Sequence, residues 1–394
     1  MLPQIAINGR FLTQRMVGVQ RFAIEVVKAI DALIEDGEYA SLAGRIELFA
    51  PASARDFPLR HIPVRRCGFG SGYLWEQVEF PVHARGRMLL NLCVLGPIVV
   101  RNQIVVVHDA TVRARPATFS RRFRAAYDFL IPQLCRRARC AVTVSEFSRR
   151  EIGRWYGVDV SRMPVCFEGG DHIAAVPSDR SIIDRLGLAG RKFFLAVGMS
   201  TNKNFEALSA AFARAALPQT QLVLTGSHDA KVNRPLGALA SNGLLHAGYV
   251  SDPQLRALYE AALALVFPSH YEGFGLPPLE AMTSGCPVII SKQPALVEIC
   301  GDAALQCDAN DVAELSRLLR LVHDEPDRRA AMIAAGRARA ARFPWGSTAR
   351  ILLDLCLSTS DATAPARAAI APGRAAHAPA MASELTERDT ALCD

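Results

Sequence analysis

Several features are scarce in this chain, and each absence narrows the reading. No apolar run approaches the roughly 20 residues that cross a bilayer. The longest, Met88–Val100, is broken by Asn91, Gly96 and Pro97. The opening segment MLPQIAINGR has no basic cluster followed by an apolar core, so no signal peptide is expected. Ten cysteines occur without a CxxC pair. Cys93, Cys140 and Cys166 lie in apolar runs, which suits buried free thiols in a reducing compartment. No Asp-x-Asp occurs, and no His/Cys cluster has zinc spacing, so no metal is expected. Lysine is rare, confined to Lys28, Lys192, Lys203, Lys231 and Lys292. The net charge of +7 is therefore an arginine charge, with eleven arginines in Arg113–Arg154 alone. That density fits contact with anionic lipid or a phosphorylated acceptor, and equally an ordinary solvated surface. Nucleic acid is not expected as a partner, because no binding motif or aromatic interleaving accompanies the charge.

At 394 residues, half of them hydrophobic, the chain is long enough for two domains with full cores. Strand-like and helix-like stretches alternate throughout, the pattern of a doubly wound α/β protein. In the first half the strands are Gln4–Asn8, Arg45–Ala50, Val64–Arg66, Arg87–Cys93, Ile104–Val107, Cys140–Ser145 and Met163–Phe167. Gly18 is expected in a loop ahead of an amphipathic helix Gln20–Ile34, whose Phe22, Val26, Val27 and Ile30 recur at helical spacing and read as core. Gly169–Ser181 is polar and turn-rich, the best linker. Strands then restart at Phe193–Val197, Gln221–Thr225 and Leu244–Tyr249. Asn202 or Thr201 is placed to cap a helix beginning near Asn204. The expected domains are 1–172 and 173–358, followed by an Ala/Pro/Arg-rich tail, 359–394, read as disordered.

The chemistry concentrates in Ala264–Ala303. A buried strand, Ala264–Phe267, runs into a loop holding His270, Glu272, Gly273, Phe274, Gly275 and Leu276. Pro277 and Pro278 open a helix to Ser284, Gly285 closes it, and Pro287–Ser291 is a second buried strand. Ligands of open α/β sheets sit at such strand ends, and a helix start favours an anion. Glu272 and Glu280 flank that place, Glu280 in the first helical turn. Two carboxylates here could accept from polyol hydroxyls on either side of a diphosphate. Taken alone, Glu280 could instead complement the helix dipole while Glu272 is solvated. Lys203 could give a phosphate a point charge from the start of its helix, or be a solvated surface lysine. His108 and Asp109 end the strand-like VVVHD, where a lone histidine is more often structural.

EGFGLPPLEAMTSGCPVI followed by VEICGDAAL resembles the donor-site signature of retaining glycosyltransferases of family 4, which have the GT-B fold. The Ser145-Glu146-Phe147-Ser148 turn continues the resemblance, which covers about residues 4–357. It implies two Rossmann-like domains facing an interdomain cleft and a nucleotide-diphosphate sugar as donor substrate, without cofactor or metal. It assigns catalytic roles to His108, Lys203 and Glu272. Donor binding falls to Gly18, Lys203, Glu272, the Gly273–Leu276 loop with Phe274 and Gly275, and Glu280, which would take the ribose. The family carries Arg-Lys where this chain has Asn202-Lys203, so one positive charge is missing. INGRFLTQRMVGVQRFA, GYLWEQ and VVVHD resemble bacterial polysaccharide mannosyl- and related transferases. GDP-mannose is the implied donor, and the implied acceptor is a saccharide or polyprenyl-diphosphate-linked chain. The implied location is the cytoplasm, with peripheral contact at the inner face of the cytoplasmic membrane. Two other classes remain open: a GT-B sugar-nucleotide epimerase, and a non-catalytic sugar-nucleotide binding protein.

Overall fold

The computed structural model describes residues 2–198, 200–226 and 243–358. The stretch 359–394, expected to be a disordered tail, lies outside the described residues, as does Lys231. Among the described residues twelve strands form two sheets of six, parallel throughout. The first contains β1 (Ile5–Asn8), β2 (Ile46–Ala50), β3 (Val64–Arg66), β4 (Met88–Asn91), β5 (Gln103–Val106) and β6 (Cys140–Val142). The second contains β7 (Lys192–Val197), β8 (Thr220–Thr225), β9 (Leu244–Gly248), β10 (Ala264–Phe267), β11 (Val288–Ser291) and β12 (Leu305–Cys307).

The spatial orders are β3-β2-β1-β4-β5-β6 and β9-β8-β7-β10-β11-β12. Each half therefore reverses direction once, between β1 and β4 and between β7 and β10. A crevice opens beyond the carboxyl ends of the strands at such a reversal. The strands are continuous apolar runs because helices cover both faces. In β1, β4, β5, β10 and β11 every residue is buried.

The helix Gly18–Glu35 buries Phe22, Val26, Val27 and Ile30 against the first sheet, as its spacing predicts. The last described helix, Trp345–Leu357, leaves the second half and packs against Gly18–Glu35. Arg350 pairs with Glu38 at 2.7 Å, and the Tyr39 hydroxyl donates to Asp354 at 2.7 Å. Among the described residues no helix is long and apolar enough to cross a membrane.

Several local expectations fail. Met163–Phe167 is not a strand; it contributes one bridge, Thr143 to Val165, beside β6. Gly18 is the first residue of its helix rather than part of a loop. Asn204, in left-handed conformation, precedes the helix Phe205–Ala215, and neither Asn202 nor Thr201 caps it. Cys93 and Cys140 are half-buried, while Cys166 is buried. The expected linker Gly169–Ser181 does lie between the strands of the first sheet and those of the second, but its start is packed, with a helical turn at His172–Ala175 in which His172 and Ile173 are buried. Its glycines make this possible. A Cβ at Gly169 would stand 2.5 Å from the Trp345 amide nitrogen, so only a residue without a side chain passes there.

Candidate functional site

The loop between β10 and the helix Leu276–Thr283 is tied down carbonyl by carbonyl. The Ser291 hydroxyl donates to Ser269 O at 2.5 Å, and Asn202 Nδ2 to Tyr271 O at 2.9 Å. Gln293 Nε2 donates to Glu272 O at 3.1 Å. The hydroxyls of Ser145 and Ser148, from the other half of the molecule, donate to Gly273 O at 2.6 and 2.9 Å. Such a loop presents its side chains without having to reorganise. Gly273 is required for the closure. Its Cβ would lie 2.9 Å from Asp109 Cβ and 3.1 Å from His108 O, so the VVVHD strand end rests directly on it. Glu298 completes the contact, accepting from the amides of Glu146 and Phe147 at 2.8 and 3.0 Å.

Lys203 follows β7 and Glu272 follows β10, the two strands of the reversal in the second sheet. Nζ of Lys203 lies 2.7 Å from Glu272 Oε1, with both side chains 14% exposed, and 4.1 Å from the centroid of the Phe267 ring. Lys203 is therefore no solvated surface lysine. Its ammonium points at the Glu272 loop, not at the start of the helix Phe205–Ala215, as expected from sequence. Asn202, where the resembling family has an arginine, also donates to Glu272 Oε1, at 3.3 Å. The residue that costs the site a charge thus helps to hold the loop.

Glu280 is buried and stands in the second turn of its helix rather than the first, because the helix begins at Leu276. Its carboxylate meets His172 Nε2 and the Tyr259 hydroxyl, each at 3.0 Å. Helix-dipole complementation alone does not describe it. Phe274 is core, its ring packed among those of Phe167 and Phe343, so its side chain is withdrawn from the loop surface. Pro277 and Pro278 carry no N–H, which leaves Gly275 and Leu276 to supply the backbone donors of this helix start.

Across from these lies His108, buried, its Nε2 2.9 Å from Leu92 O and its ring edge-on to Phe22. Its Nδ1 faces Glu168 Oε1 at 3.5 Å. Burial pushes the Glu168 carboxyl up, and the neighbouring imidazole offsets only part of that. A Cβ at Gly18 would meet nothing within 4 Å, so open space adjoins the first turn of that helix. Arg21, one turn on, pairs with Asp252 at 2.5 Å. Burial pushes its pKa down, but the carboxylates of Asp252, Glu280 and Glu25 outweigh this and the net direction is up.

The structure thus gathers Lys203, Glu272 and the Gly273–Leu276 loop on one side, with His108 against that loop from the other half. Glu280 lies within electrostatic reach of both Arg21 and Glu168. Four participants were missed from sequence: Glu168, His172, Tyr259 and Trp345. None sits in a recognisable motif; the one available signal was the clustering of Glu168 and His172 around Gly169 and Gly170. Among the described residues no group of three or more His, Cys, Asp or Glu could hold a metal ion.

Residues 179–339 match the family model of glycosyl transferases group 1. The O-antigen chain mannosyltransferase B of Escherichia coli is 35% identical over 223 residues, which is 53% of this chain and 58% of that protein. The O-antigen chain mannosyltransferase RfbU of Salmonella typhimurium is 28% identical over 233 residues, 58% of this chain and 62% of that one. The chain thus spans less than two thirds of the length of these relatives. Among solved structures, the sucrose-phosphate synthase of Thermosynechococcus elongatus superposes with a TM-score of 0.68 at 19% identity, covering 89% of this chain and 97% of that one. HepE of Anabaena, solved with UDP and glucose, also gives 0.68, at 18% identity, covering 90% and 100%. The two Rossmann-like sheets have the GT-B arrangement of these solved structures, and the second half of the chain is similar to the group 1 glycosyl transferases.

Proposed function

We propose that the protein is a retaining glycosyltransferase that moves a hexose from a nucleotide-diphosphate sugar onto a saccharide or lipid-linked acceptor in cell-surface polysaccharide synthesis. Mannose from GDP-mannose is the favoured donor, supported by the names of the relatives. The observation that carries the reading is the shielded Lys203–Glu272 pair at the strand reversal, closed over by the His108 strand end.

The sugar–diphosphate bond breaks with negative charge growing on the leaving diphosphate. Lys203 and the helix-start amides of Gly275 and Leu276 stabilise that charge. Both protein donors to Glu272 use its Oε1, and the carboxylate's remaining lone pairs suit donor-sugar hydroxyls. Glu280 takes the ribose, and His108 bounds the sugar from the first half. Metal independence is supported by the lack of any Asp-x-Asp and by these positive groups.

Contact with a membrane face is supported by the helix Arg121–Arg137. It exposes Arg121, Arg122, Arg136 and Arg137 together with Phe129, near exposed Tyr73 and Leu74. Anionic headgroups and a polyprenyl-diphosphate acceptor at the inner, cytoplasmic face would both complement such a surface.

The test is nucleotide release from GDP-mannose and from UDP-sugars, with and without a polyprenyl-diphosphate-linked saccharide, in buffer and in EDTA. Acceptor-dependent GDP release that survives EDTA is the expected result. Acceptor-independent conversion of the sugar nucleotide, or binding without turnover, would replace the transferase reading with an epimerase or a binding protein. Activity abolished by EDTA and restored by Mg²⁺ would overturn metal independence.

A further inference from the structure

The inner side of the Glu280 carboxylate is fully engaged, and the donors can be followed outward. Trp345 Nε1 lies 3.0 Å from His172 Nδ1, and His172 Nε2 lies 3.0 Å from Glu280 Oε1. The Tyr259 hydroxyl donates to Glu280 Oε2 at 3.0 Å. All four residues are buried. An indole N–H can only donate. His172 Nδ1 is therefore the acceptor, Nε2 carries the proton, and that proton points at the carboxylate.

The indole is itself fixed, because the Trp345 amide donates to Asp171 Oδ1 at 3.0 Å and its ring packs against Phe22 at 5.7 Å. One donor on each oxygen fixes the carboxylate plane. Rotating it would break both bonds and leave buried donors unpaired. Each oxygen keeps a further lone pair. Two such lone pairs, on oxygens held in one plane, match the spacing of a vicinal diol.

We propose that Trp345 and His172, with Tyr259, are positioning residues that hold Glu280 in the single orientation that accepts from both ribose hydroxyls. This rests on the assignment of Glu280 to the ribose. Its consequence is that the helix Trp345–Leu357 takes part in reading the nucleotide. Because that helix packs on Gly18–Glu35, recognition in the second half depends on packing against the first.

The experiment measures dissociation constants by calorimetry on the full chain. The probes are GDP and UDP, each against its 2′,3′-dideoxy counterpart, with wild type, Trp345→Phe and His172→Leu. The wild type should prefer the ribose form of the nucleotide it binds by about 10- to 100-fold, the worth of hydrogen bonds to a charged group. Both variants should cut that preference about 10-fold while affinity for the dideoxy form stays unchanged. A merely structural role would weaken both forms alike and leave the ratio intact, which overturns the proposal while leaving Glu280 at the ribose. A wild type without ribose preference refutes the Glu280 assignment, and the proposal with it. Should neither variant fold, the nitrogen spectrum of the wild-type His172 ring decides. The expected ring has a bare Nδ1 beside the Trp345 indole proton; a protonated Nδ1 overturns the proposal.

Discussion

The two halves of this molecule repeat one sheet order, yet the ends of their strands carry different chemistry. At the β7/β10 reversal stand an ammonium, a carboxylate and a loop whose carbonyls at Ser269, Tyr271, Glu272 and Gly273 are held by side-chain donors. At the β1/β4 reversal stands an inward-facing polar network. Asn8 Nδ2 donates to Glu76 Oε1 and Asn91 Oδ1, each at 3.0 Å, and Arg10 pairs with Glu76 at 2.9 Å. Burial pushes the Glu76 carboxyl up, and Arg10 pulls it back only in part. Topology supplies a crevice twice, and the side chains at the strand ends decide what each crevice holds. The second half gathers charge suited to a diphosphate, while the first lends it a lid at His108–Asp109 and uses its own polar groups to fix itself.

The sharpest way to break this contrast is Lys203→Ala. If the second half stabilises leaving-group charge, kcat/KM should fall by about 30- to 1000-fold, corresponding to roughly 2–4 kcal/mol of transition-state stabilisation. The melting temperature should move little by comparison. Near wild-type kcat/KM at saturating acceptor would mean that the Lys203–Glu272 pair is only structural.

A smaller effect is expected from Gly273→Val, which tests the lid. The new side chain collides with Asp109 and the His108 carbonyl, so the halves cannot close as observed. Turnover should drop about 10- to 100-fold from lost alignment. Calorimetric affinity for the nucleotide, held by the second half, should change less than 3-fold or so. Equal losses in both would show that the halves do not divide the work as described.

The smallest effect concerns Glu168. Its folded pKa is raised by burial, the His108 imidazole offsetting part of the shift. The stability it contributes is therefore present below the ordinary carboxylate pKa, about 4.3, and is lost as pH rises through the raised value. Glu168→Gln cannot ionise. Relative to wild type the variant should gain stability from about pH 5 to about pH 8 by about 1 kcal/mol, the size of one hydrogen bond. Denaturant titrations at both ends check this. A difference that stays flat or falls with pH would place the Glu168 proton elsewhere.

Legibility also differed between the halves. The Ala264–Ala303 stretch showed its strands, loop and helix because each uses a strong local device: an apolar run, glycines, Pro at a helix start. Glu272 and Glu280 were singled out there for the same reason, and Lys203 after β7 by the rarity of lysine in the chain. In the first half His108 was singled out through the VVVHD strand end, and Gly18 was set one element too early, since a glycine reads as a loop even when it begins a helix. Met163–Phe167 looked like a strand because its residues are apolar, with Val165 and Phe167 good strand formers, yet only Val165 forms a bridge. The GGDH segment was legible only in part. Its composition is that of the linker between the sheets, but its glycines also serve close packing.

The sequence by itself determined the alternation of strand and helix, the apolar faces, and the loop chemistry, because these depend on residues within a few positions of one another. Only the tertiary structure decided that Asn202 ties down Tyr271 and Glu272, that Ser145 and Ser148 clamp Gly273, and that Trp345 orients Glu280 through His172. These bonds join residues far apart in the chain, and a hydrogen bond has no signature along the sequence: it exists only where folding brings a donor within about 3 Å of its acceptor.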